Sequence, residues 1–515
     1  MQKKLALLLA ATAMTPVAAL ADTLTRVATV PLGGEITGIF QNGDDLFFNV
    51  QHPDSDIGTD FALATVGIVA NANLGAEELA PAMTDEEKRV VRTSLGDYQI
   101  LLQEGVNGAG VIKSADGSKE LLISNDPDFN GFVPTEDGKG LLFTNWENRP
   151  GAMSKAALTR AEDGTYSVDS IDMVDFSGVK GTWVNCFGTV SPWGTPLTSE
   201  ELYFDNSADW NNPEYKYIDD NKVLAEYLGE YPNPYNYGYI VEITDPTGTA
   251  TPVKQMAIGR MSHENSVVMP DQTTVYTTSD GTGQAFFKFV ADTAGDLTSG
   301  TLYAAKVTQM GDAGADAATT AFGLEWVELG HASNDEIAAW VADYDGITLD
   351  DYKAGENNYI TDEEIADWAA GNAADNRVAF LESNKAAAAK GASAEFRKME
   401  GVNINVAGLE AGTAPHMYVA MSAVEKTMSD GEGDIDVAEN KCGVVYEFEM
   451  DGYNATKMTP VIAGHGYNGD AEVNQCPLDS ISNPDNLVVL EDGRVIVGED
   501  TGKHENNALY IWTKG

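Results

Sequence analysis

Residues 137–145 read Asp-Gly-Lys-Gly-Leu-Leu-Phe-Thr-Asn, an Asp-Gly turn followed by an apolar run that ends in an amide. Asp-Gly favours a tight β-hairpin, and the apolar residues after it are typical of a buried strand. Because this pattern recurs along the chain, it predicts a mainly β protein.

The same sequence of turn, short strand and polar end is repeated at irregular spacing. Further segments that share it are residues 46–51, 120–126, 201–206, 275–280, 417–421 and 494–500. Such spacing suits a propeller whose blades carry insertions better than a compact sandwich. Loops at one end of a propeller converge on a shared pocket, so the Asn, Asp and Glu residues at these strand ends would line it with oxygen ligands. The simpler alternative is that Asn and Asp favour turns.

One segment, residues 333–396, departs from the β pattern. Ser333-Asn334-Asp335-Glu336 and Thr361-Asp362-Glu363-Glu364 both match a helix capping box, and residues 384–390 are rich in alanine. The sequence therefore predicts one β domain over residues 22–515, with a helical insertion at about 333–396.

The composition is globular, but the charge is unusual. Hydrophobic residues make up 43% of the chain, and 31 Lys and Arg stand against 80 Asp and Glu, a formal charge of −49. A chain so acidic repels nucleic acid and anionic lipid, so we expect no nucleic-acid or membrane partner. Most carboxylates would form a solvated surface, while a handful could converge on hard cations.

The N-terminal residues have the features of a signal peptide. Lys3 and Lys4 precede an apolar run over residues 5–20, and Ala19-Leu20-Ala21 is a cleavage signal. No Arg-Arg pair precedes the run, which favours the Sec route. We predict that residues 1–21 are a signal peptide and that the protein is periplasmic or secreted.

Three cysteines remain in that oxidising setting, Cys186, Cys442 and Cys476. An odd number leaves one thiol unpaired. Cys442 and Cys476 lie in neighbouring stretches and could pair, whereas Cys186 is either a buried inert thiol or a metal ligand.

Familiar hydrolase and nucleotide-binding motifs are absent from the sequence. It contains no G-x-S-x-G, G-x-x-x-x-G-K or H-E-x-x-H, and its six histidines form no pair at zinc-binding spacing. Any metal would be held mainly by oxygen, with at most one sulfur. Oxygen suits calcium, and a thiolate among carboxylates suits iron.

Residues 185–201, Asn-Cys-Phe-Gly-Thr-Val-Ser-Pro-Trp-Gly-Thr-Pro-Leu-Thr-Ser-Glu-Glu, closely resemble the cysteine-to-glutamate motif of PhoX-type alkaline phosphatases. Blocks that resemble the same family occur in the expected order at residues 34–40, 49–53, 144–147, 259–264, 300–306, 398–401, 483–487 and 498–500. Three positions differ from the family pattern, since Lys398 stands for an arginine, Gly401 for a tryptophan and Trp146 for a histidine.

The resemblance implies a six-bladed β-propeller that hydrolyses small-molecule phosphomonoesters with two ferric and about three calcium ions; we expect a monomer. The residues that it assigns are Cys186 as the bridge between the irons, Glu201 and Glu264 as iron ligands, Glu400 in the later metal motif, Glu35, Asp280, Glu499 and Asp500 as calcium ligands, Asn145 beside the phosphate, and Lys398 on a phosphate oxygen. With Cys186 reserved for metal in an exported protein, Cys442 and Cys476 are predicted to form a disulfide.

Two other interpretations stay open. A calcium-stabilised binding propeller would keep the fold without phosphatase activity, and iron content would separate it from the enzyme. A sugar-lactone or phytate-type propeller hydrolase fits the fold but not the block around Cys186.

Overall fold

The computed structural model describes residues 21–202, 206–405 and 415–515. The predicted signal peptide, apart from Ala21, lies outside these residues. In chain order the first strands are β1 Thr23–Thr29, β2 Glu35–Asn42, β3 Asp45–Gln51, β4 Thr65–Val69, β5 Arg92–Thr93, β6 Tyr98–Gln103, β7 Val111–Lys113, β8 Glu120–Ile123, β9 Pro127–Glu136, β10 Lys139–Trp146, β11 Ala152–Arg160, β12 Tyr166–Met173, β13 Asn185–Val190, β14 Pro196–Glu200, β15 Ile240–Thr244 and β16 Thr251–Lys254.

The remaining strands follow in the same order. They are β17 His263–Val268, β18 Thr274–Ser279, β19 Thr282–Gln284, β20 Phe287–Thr293, β21 Asp296–Met310, β22 Ala315–Asp316, β23 Ala321–Ser333, β24 Phe396–Arg397, β25 Met399–Ile404, β26 Met417–Met421, β27 Val437–Ala438, β28 Val444–Asp451, β29 Asn454–Ala463, β30 Pro484–Val489, β31 Val495–Glu499 and β32 Ala508–Thr513. The prediction of a mainly β protein is confirmed.

Antiparallel units of four strands repeat along the chain. Their strand orders, from the inside outward, are β2-β3-β4-β6, β9-β10-β11-β12, β13-β14-β15-β16, β17-β18-β20-β21, β25-β26-β28-β29 and β30-β31-β32-β1. The first strand of each unit contacts the first strands of two others, in the cycle β2, β9, β13, β17, β25, β30 and back to β2. The inner strands therefore close into a ring, which is a propeller-like arrangement.

The ring is closed by the two ends of the chain. Strand β1 pairs with β32 from Thr23 opposite Thr513 to Thr29 opposite Ala508, so an N-terminal strand completes the C-terminal unit. This pairing covers an outer strand edge that would otherwise expose unpaired backbone groups. Elsewhere, the long strand β23 pairs with β29 at Phe322 and Met458 and joins two units into one nine-stranded sheet.

Five helices occur in the described residues, one in the connection between β14 and β15 and four in the connection between β23 and β24. They are α1 Ile218–Leu228, α2 Asn334–Ala342, α3 Asp362–Ala369, α4 Arg377–Leu381 and α5 Ser383–Ala389. Both predicted capping boxes are present, with the Ser333 and Thr361 side chains accepting bonds from the backbone of Glu336 and Glu364. No helix in the described part of the chain has the length and apolar character needed to cross a membrane.

Two parts of the fold differ from the sequence-based prediction. Helix α1 was not predicted, because Tyr217 at its start provides no side-chain cap and the helix shows itself mainly by its buried face, Ile218, Leu224 and Tyr227. The strand predicted at residues 201–206 is wrong where the structure describes it. The strand there is β14, which ends at Glu200, and the Glu201 amide instead donates to the carbonyl of Val184. Residues 203–205 lie outside the described residues.

Candidate metal centre

Five inner strands begin in the same way. The first residue of each pairs with the last residue of the next strand, and two residues then oppose one in a β-bulge. A bulge of this kind re-aims a side chain. The first bulged residues are Asp128, Cys186, Glu264, Glu400 and Asp485. The repeated bulge therefore gives each of these units one donor near the centre of the ring.

A second set of polar residues comes from the neighbouring strands. These residues directly follow the last residue of the second strand in a unit, and they are His52, Glu147, Glu201, Asp280, Ser422 and Asp500. Of the segments whose polar ends were predicted to line a common pocket, those at residues 46–51, 140–145, 275–280, 417–421 and 494–500 include these second strands, whereas residues 120–126 do not.

The donors converge in three overlapping groups. The ligand atoms within each group lie within 4.8 Å of one another, and the groups are Asp128 with Cys186 and Glu264, Glu147 with Cys186 and Glu201, and Glu264 with Glu400 and Asp485. Cys186 Sγ is 3.2 Å from Asp128 Oδ2 and 3.1 Å from Glu264 Oε2. Because Cys186 and Glu264 each belong to two groups, the six carboxyls and the thiol form one continuous cluster.

Burial and mutual repulsion dominate the electrostatics of this cluster. Burial raises the pKa of the Cys186 thiol well above its usual range, and the charges of Glu147, Glu264, Glu201 and Asp128 raise it further. Burial likewise raises the pKa of Glu264, with Asp485 as the largest charged contributor. A cation among these groups would reverse both effects, since it favours the ionised forms.

Lys398 is a cation at the edge of the cluster. Its Nζ lies 2.6 Å from Asp280 Oδ2 and 3.1 Å from Glu400 Oε1, and its side chain is 26% exposed. Burial raises the pKa of Asp280, but Lys398 and further hydrogen bonds more than offset this, so the pKa lies below its usual value. For Glu400, burial and the charge of Asp280 prevail over Lys398 and raise the pKa to about 7. One lysine therefore compensates only part of the negative charge.

The cluster fits metal ions. Within the described residues, Glu264 Oε1 is buried without a hydrogen-bond partner although it lies among carboxylates. Buried charges are normally paired or bound to metal, and an unpaired carboxyl oxygen among other carboxyls is available to ligate a cation. The donors are oxygens plus a single sulfur, the combination that suits iron and calcium.

Glu35 and Asp500, two predicted calcium ligands, lie beside these groups. Glu35 Oε1 is 2.9 Å from His52 Nε2. Burial raises the pKa of Glu35, and the charge of Asp500 raises it further. Asp500 also raises the pKa of Asp485 and Glu400, which places it next to the cluster.

Glu499 is a correction to the predicted ligand set. Its Oε1 accepts from the backbone amide of Ser482, and its Oε2 accepts from the amide of Ala508 and lies 3.1 Å from His504 Nδ1. Side chains alternate along a strand, so Glu499 points away from the centre when Asp500 points toward it. Both oxygens are occupied, and the structure therefore does not support a calcium-ligand role.

Glu200 has the same position and function in another unit. It precedes Glu201, and its oxygens accept bonds from the amides of Trp183 and Gly238 and from Lys254 Nζ at 2.9 Å. In two units, then, the last residue of the second strand bonds to backbone amides, and the residue after it faces the carboxyl cluster or lies beside it.

Asn145, predicted to contact phosphate, is fully buried next to the cluster. Its Nδ2 donates to the carbonyl of Cys186, and its Oδ1 is buried with no hydrogen-bond partner among the described residues. The two family departures nearby have structural roles. Trp146 packs in the core and donates to Ser154 Oγ at 3.0 Å, and a Cβ on Gly401 would lie 3.0 Å from the Asp485 carbonyl.

Three donors were missed by sequence reasoning, namely Asp128, Glu147 and Asp485. Glu147 and Asp485 lie inside blocks that resemble the family, and Asp128 closely follows the polar end of residues 120–126. Glu147 directly follows the end of a strand, whereas Asp128 and Asp485 are the second residues of their strands. The equivalence of Asp128 and Asp485 to Cys186 and Glu264 becomes visible only from the shared bulge.

Cys442 and Cys476 are joined by a disulfide, with their Cα atoms 6.0 Å apart. Cys186 is the free cysteine and is buried. The two cysteines of the bridge are 34 residues apart, and none of the seven donors of the cluster lies between them, so the cluster and the disulfide use separate cysteines.

Both the sequence and the fold of the chain are similar to those of known proteins. The profile of the family described as alkaline phosphatase PhoX matches residues 144–515. The fold is similar to Pseudomonas fluorescens PhoX in complex with vanadate, a transition state analogue, at 16% identity and a TM-score of 0.54, covering 95% of this chain and 87% of that one. A weaker likeness is to Trypanosoma rangeli sialidase, at 9% identity and a TM-score of 0.40, covering 96% and 60% of the two chains.

No curated protein matches the sequence. Because the profile covers well over half of the chain, the protein belongs to the PhoX alkaline phosphatase family.

Proposed function

We propose that the protein is an exported, metal-dependent phosphatase that hydrolyses phosphomonoesters on a six-bladed β-propeller. The observation that carries the proposal is the buried cluster in which the Cys186 thiol lies between Asp128 and Glu264, with Glu264 Oε1 unpartnered. Membership of the family supports the activity. The ring of inner strands from six four-stranded units supports the blade count.

The donors divide by chemistry into two sets. Cys186 with Asp128, Glu147, Glu201 and Glu264 would hold iron, since a thiolate among carboxylates suits that metal. The second set offers oxygen alone and would hold calcium; its members are Asp280, Glu400, Asp485, Glu35 and Asp500. We propose two ferric and about three calcium ions, as the family resemblance implies.

Bound cations would supply positive charge that attracts a doubly anionic phosphoryl group and stabilises it as the ester bond breaks. Without them, the same carboxylates repel the substrate. In hydrolysis a water oxygen bonds to phosphorus, the phosphorus–oxygen ester bond breaks, and the alcohol leaves with a proton.

The chain's own residues then orient the substrate. The ammonium of Lys398 is held by Asp280 and Glu400 and remains partly exposed, so it can donate to a phosphate oxygen as a point charge. Asn145, whose amide is fixed against the backbone of Cys186, would adjoin the phosphoryl group, as the family resemblance implies.

The experiment is metal analysis of the purified protein combined with a phosphomonoesterase assay with and without calcium. We expect two irons per chain and a violet colour. Chelation should abolish activity and lower the melting temperature, because a ligand that binds only the folded state stabilises it by about 3–4 kcal/mol at 100–1,000 times its dissociation constant. Glu264→Gln should lose iron, whereas the matched surface variant Glu136→Gln should not.

A colourless, iron-free protein that carries calcium and hydrolyses no phosphomonoester would contradict the proposal. That result would favour the calcium-stabilised binding propeller instead.

The route of export is a separate part of the proposal. The basic residues, apolar run and Ala-Leu-Ala site at residues 1–21 support a Sec signal peptide and a periplasmic or secreted location. N-terminal sequencing of the protein from the culture medium or periplasm should begin at Asp22.

A further inference from the structure

A group of basic residues borders the metal centre of this very acidic chain. Arg397 directly precedes Lys398, Lys503 follows Asp500 by three residues, and Lys441 precedes the disulfide cysteine Cys442. We call Arg397, Lys441 and Lys503 the basic rim.

Arg397 is largely buried but poorly partnered. Its side chain is 16% exposed, and Nη1 donates to the carbonyl of Gly281 at 3.2 Å. Its Nε is buried without a hydrogen-bond partner, and the ion-pair distance from that atom to Glu425 Oε1 is 3.9 Å, too long for a hydrogen bond. A desolvated guanidinium normally has a hydrogen-bonded carboxylate, and this one leaves donors available in a chain rich in carboxylates.

Lys503 is held by a neutral group. Its Nζ donates to Asn483 Oδ1 at 2.9 Å. Burial lowers the pKa of Lys503, and the charges of Arg397 and Lys441 add to this while Glu425 and Asp500 oppose it. The three cations are therefore neighbours. Lys441 is also 3.3 Å from Glu439 and lies over the ring of Tyr467 at 5.6 Å.

The basic rim adjoins the side of the metal centre where Lys398 lies. Arg397 contacts Gly281, the residue after Asp280. A chain of hydrogen bonds connects Lys503 to Glu400. Lys503 donates to the side chain of Asn483, which donates to the Ser422 carbonyl, and the Ser422 hydroxyl donates to Glu400 Oε1.

Arg397 and Lys398 nevertheless have different partners. Lys398 adopts a positive φ of 51° and reaches Asp280 and Glu400, whereas Arg397 is directed to Gly281 and Glu425. A phosphoryl group held at Lys398 would therefore leave Arg397 free to contact a different part of the same substrate.

We propose that the basic rim binds a second negative charge on the alcohol part of the substrate, so that the preferred phosphomonoesters carry a carboxylate or a further phosphate there. This inference rests on the proposed function, because it assigns the rim to the substrate of the same site. Arg397 would form the main contact, and Lys503 and Lys441 would add longer-range attraction.

The test compares two phosphonates that are not hydrolysed and differ only in a terminal carboxylate, 3-phosphonopropionate and propylphosphonate. Their dissociation constants are measured by calorimetry on the metal-loaded protein. We expect wild type to bind 3-phosphonopropionate on the order of tenfold more tightly, which corresponds to about 1.4 kcal/mol from one charge-assisted contact. Arg397→Gln and Lys503→Gln should each reduce that ratio toward one.

Lys457→Gln is the matched control, because Lys457 is on the outer strand β29 and pairs with Glu449 at 3.4 Å. It should keep the wild-type ratio. If Arg397→Gln fails to fold by melting temperature, Lys503→Gln and Lys441→Gln still decide the question. The Lys441 side chain is 36% exposed, against 16% for Arg397, and Lys503 bonds to the neutral amide of Asn483.

Equal binding of the two phosphonates by wild type, or a preference that persists in the variants, would overturn the proposal. Failure of the proposed function has a different signature. A protein that binds 3-phosphonopropionate preferentially but does not hydrolyse phenyl phosphate would retain the anion subsite and lose the phosphatase assignment.

Discussion

Replacing Lys398 with alanine removes a cation that touches two buried carboxyls. Its Nζ contacts Asp280 Oδ2 at 2.6 Å and Glu400 Oε1 at 3.1 Å, and these two side chains are 1% and 5% exposed. Removing one partner of a buried ion pair costs about 3–5 kcal/mol. Because Lys398 is itself about a quarter exposed, we expect the lower end, about 3 kcal/mol, for the metal-free protein.

The effect on activity is separate from the effect on stability. A hydrogen bond to a charged group contributes about 1.5–3 kcal/mol, so loss of a phosphate contact at Lys398 should lower kcat/KM about tenfold to hundredfold. Lys398→Arg keeps the charge and should retain most of the activity. With metals bound, cations compensate Asp280 and Glu400, and the loss of stability in Lys398→Ala should be smaller than in the chelated protein.

The assays are kcat/KM with phenyl phosphate, iron and calcium content, and the melting temperature before and after chelation. Arg397→Gln serves as the neighbouring-charge comparison. If Lys398→Ala matched wild type in kcat/KM with its metals intact, the phosphate role would be refuted. An unchanged melting temperature of the chelated variant would refute the electrostatic account.

Three further predictions follow from other parts of the structure. Thiol titration of the unfolded, non-reduced protein should find one free cysteine, and three would contradict the disulfide between Cys442 and Cys476. Glu499→Gln should cost about 1–3 kcal/mol of unfolding free energy, because it disrupts bonds to buried backbone amides, but it should leave the calcium content unchanged. Asp500→Asn should lower the calcium content and leave the stability of the metal-free protein unchanged. Equal calcium loss in both variants would contradict the assignment. Burial lowers the pKa of Lys288 to about 8, so the unfolded chain holds a proton that the folded chain has lost above that pH. Wild-type stability relative to Lys288→Met should therefore rise between pH 8 and 10, as measured by urea unfolding, and a flat difference would show that Lys288 is not desolvated.

The sequence allowed much of the fold to be predicted, because its signals are local. Asp-Gly turns, apolar strands and the two capping boxes each lie within a few residues, and the structure has them where they were expected. Helix α1 lacks such a signal at its start, since Tyr217 provides no cap. Its position depends on tertiary packing of its apolar face, which no local motif encodes.

The site was harder to predict, because it depends on which way adjacent acids point. Glu200 and Glu201, and likewise Glu499 and Asp500, are neighbours with opposite roles. The family resemblance selected Glu201, the member of the first pair that joins the cluster, but included Glu499 in the second. The bulge that directs Asp128 and Asp485 inward is a property of strand register, and register becomes visible only when the pairing partners are known.

The first unit differs from the other five in the position of its bulge and in the charge of its partner residue. In β2 the bulge comes later, after Thr37, and Glu35 at its start is paired with His52. Burial lowers the pKa of His52, but the bond and charge of Glu35 more than offset this and raise it to about 10, so this unit carries its own compensating charge.

The other units direct carboxyls and one thiol inward, and Lys398 is the cation that the described residues of this cluster contribute. Lys398 compensates only part of their negative charge, so the remaining part is available to bound cations. Nine carboxyls at and beside this centre are a small part of the 80 in the sequence. Most of the acidity of the chain therefore lies outside this centre. The repeated bulge makes a few acids converge, and that convergence is what would allow the chain to bind cations and, through them, the proposed anionic substrate.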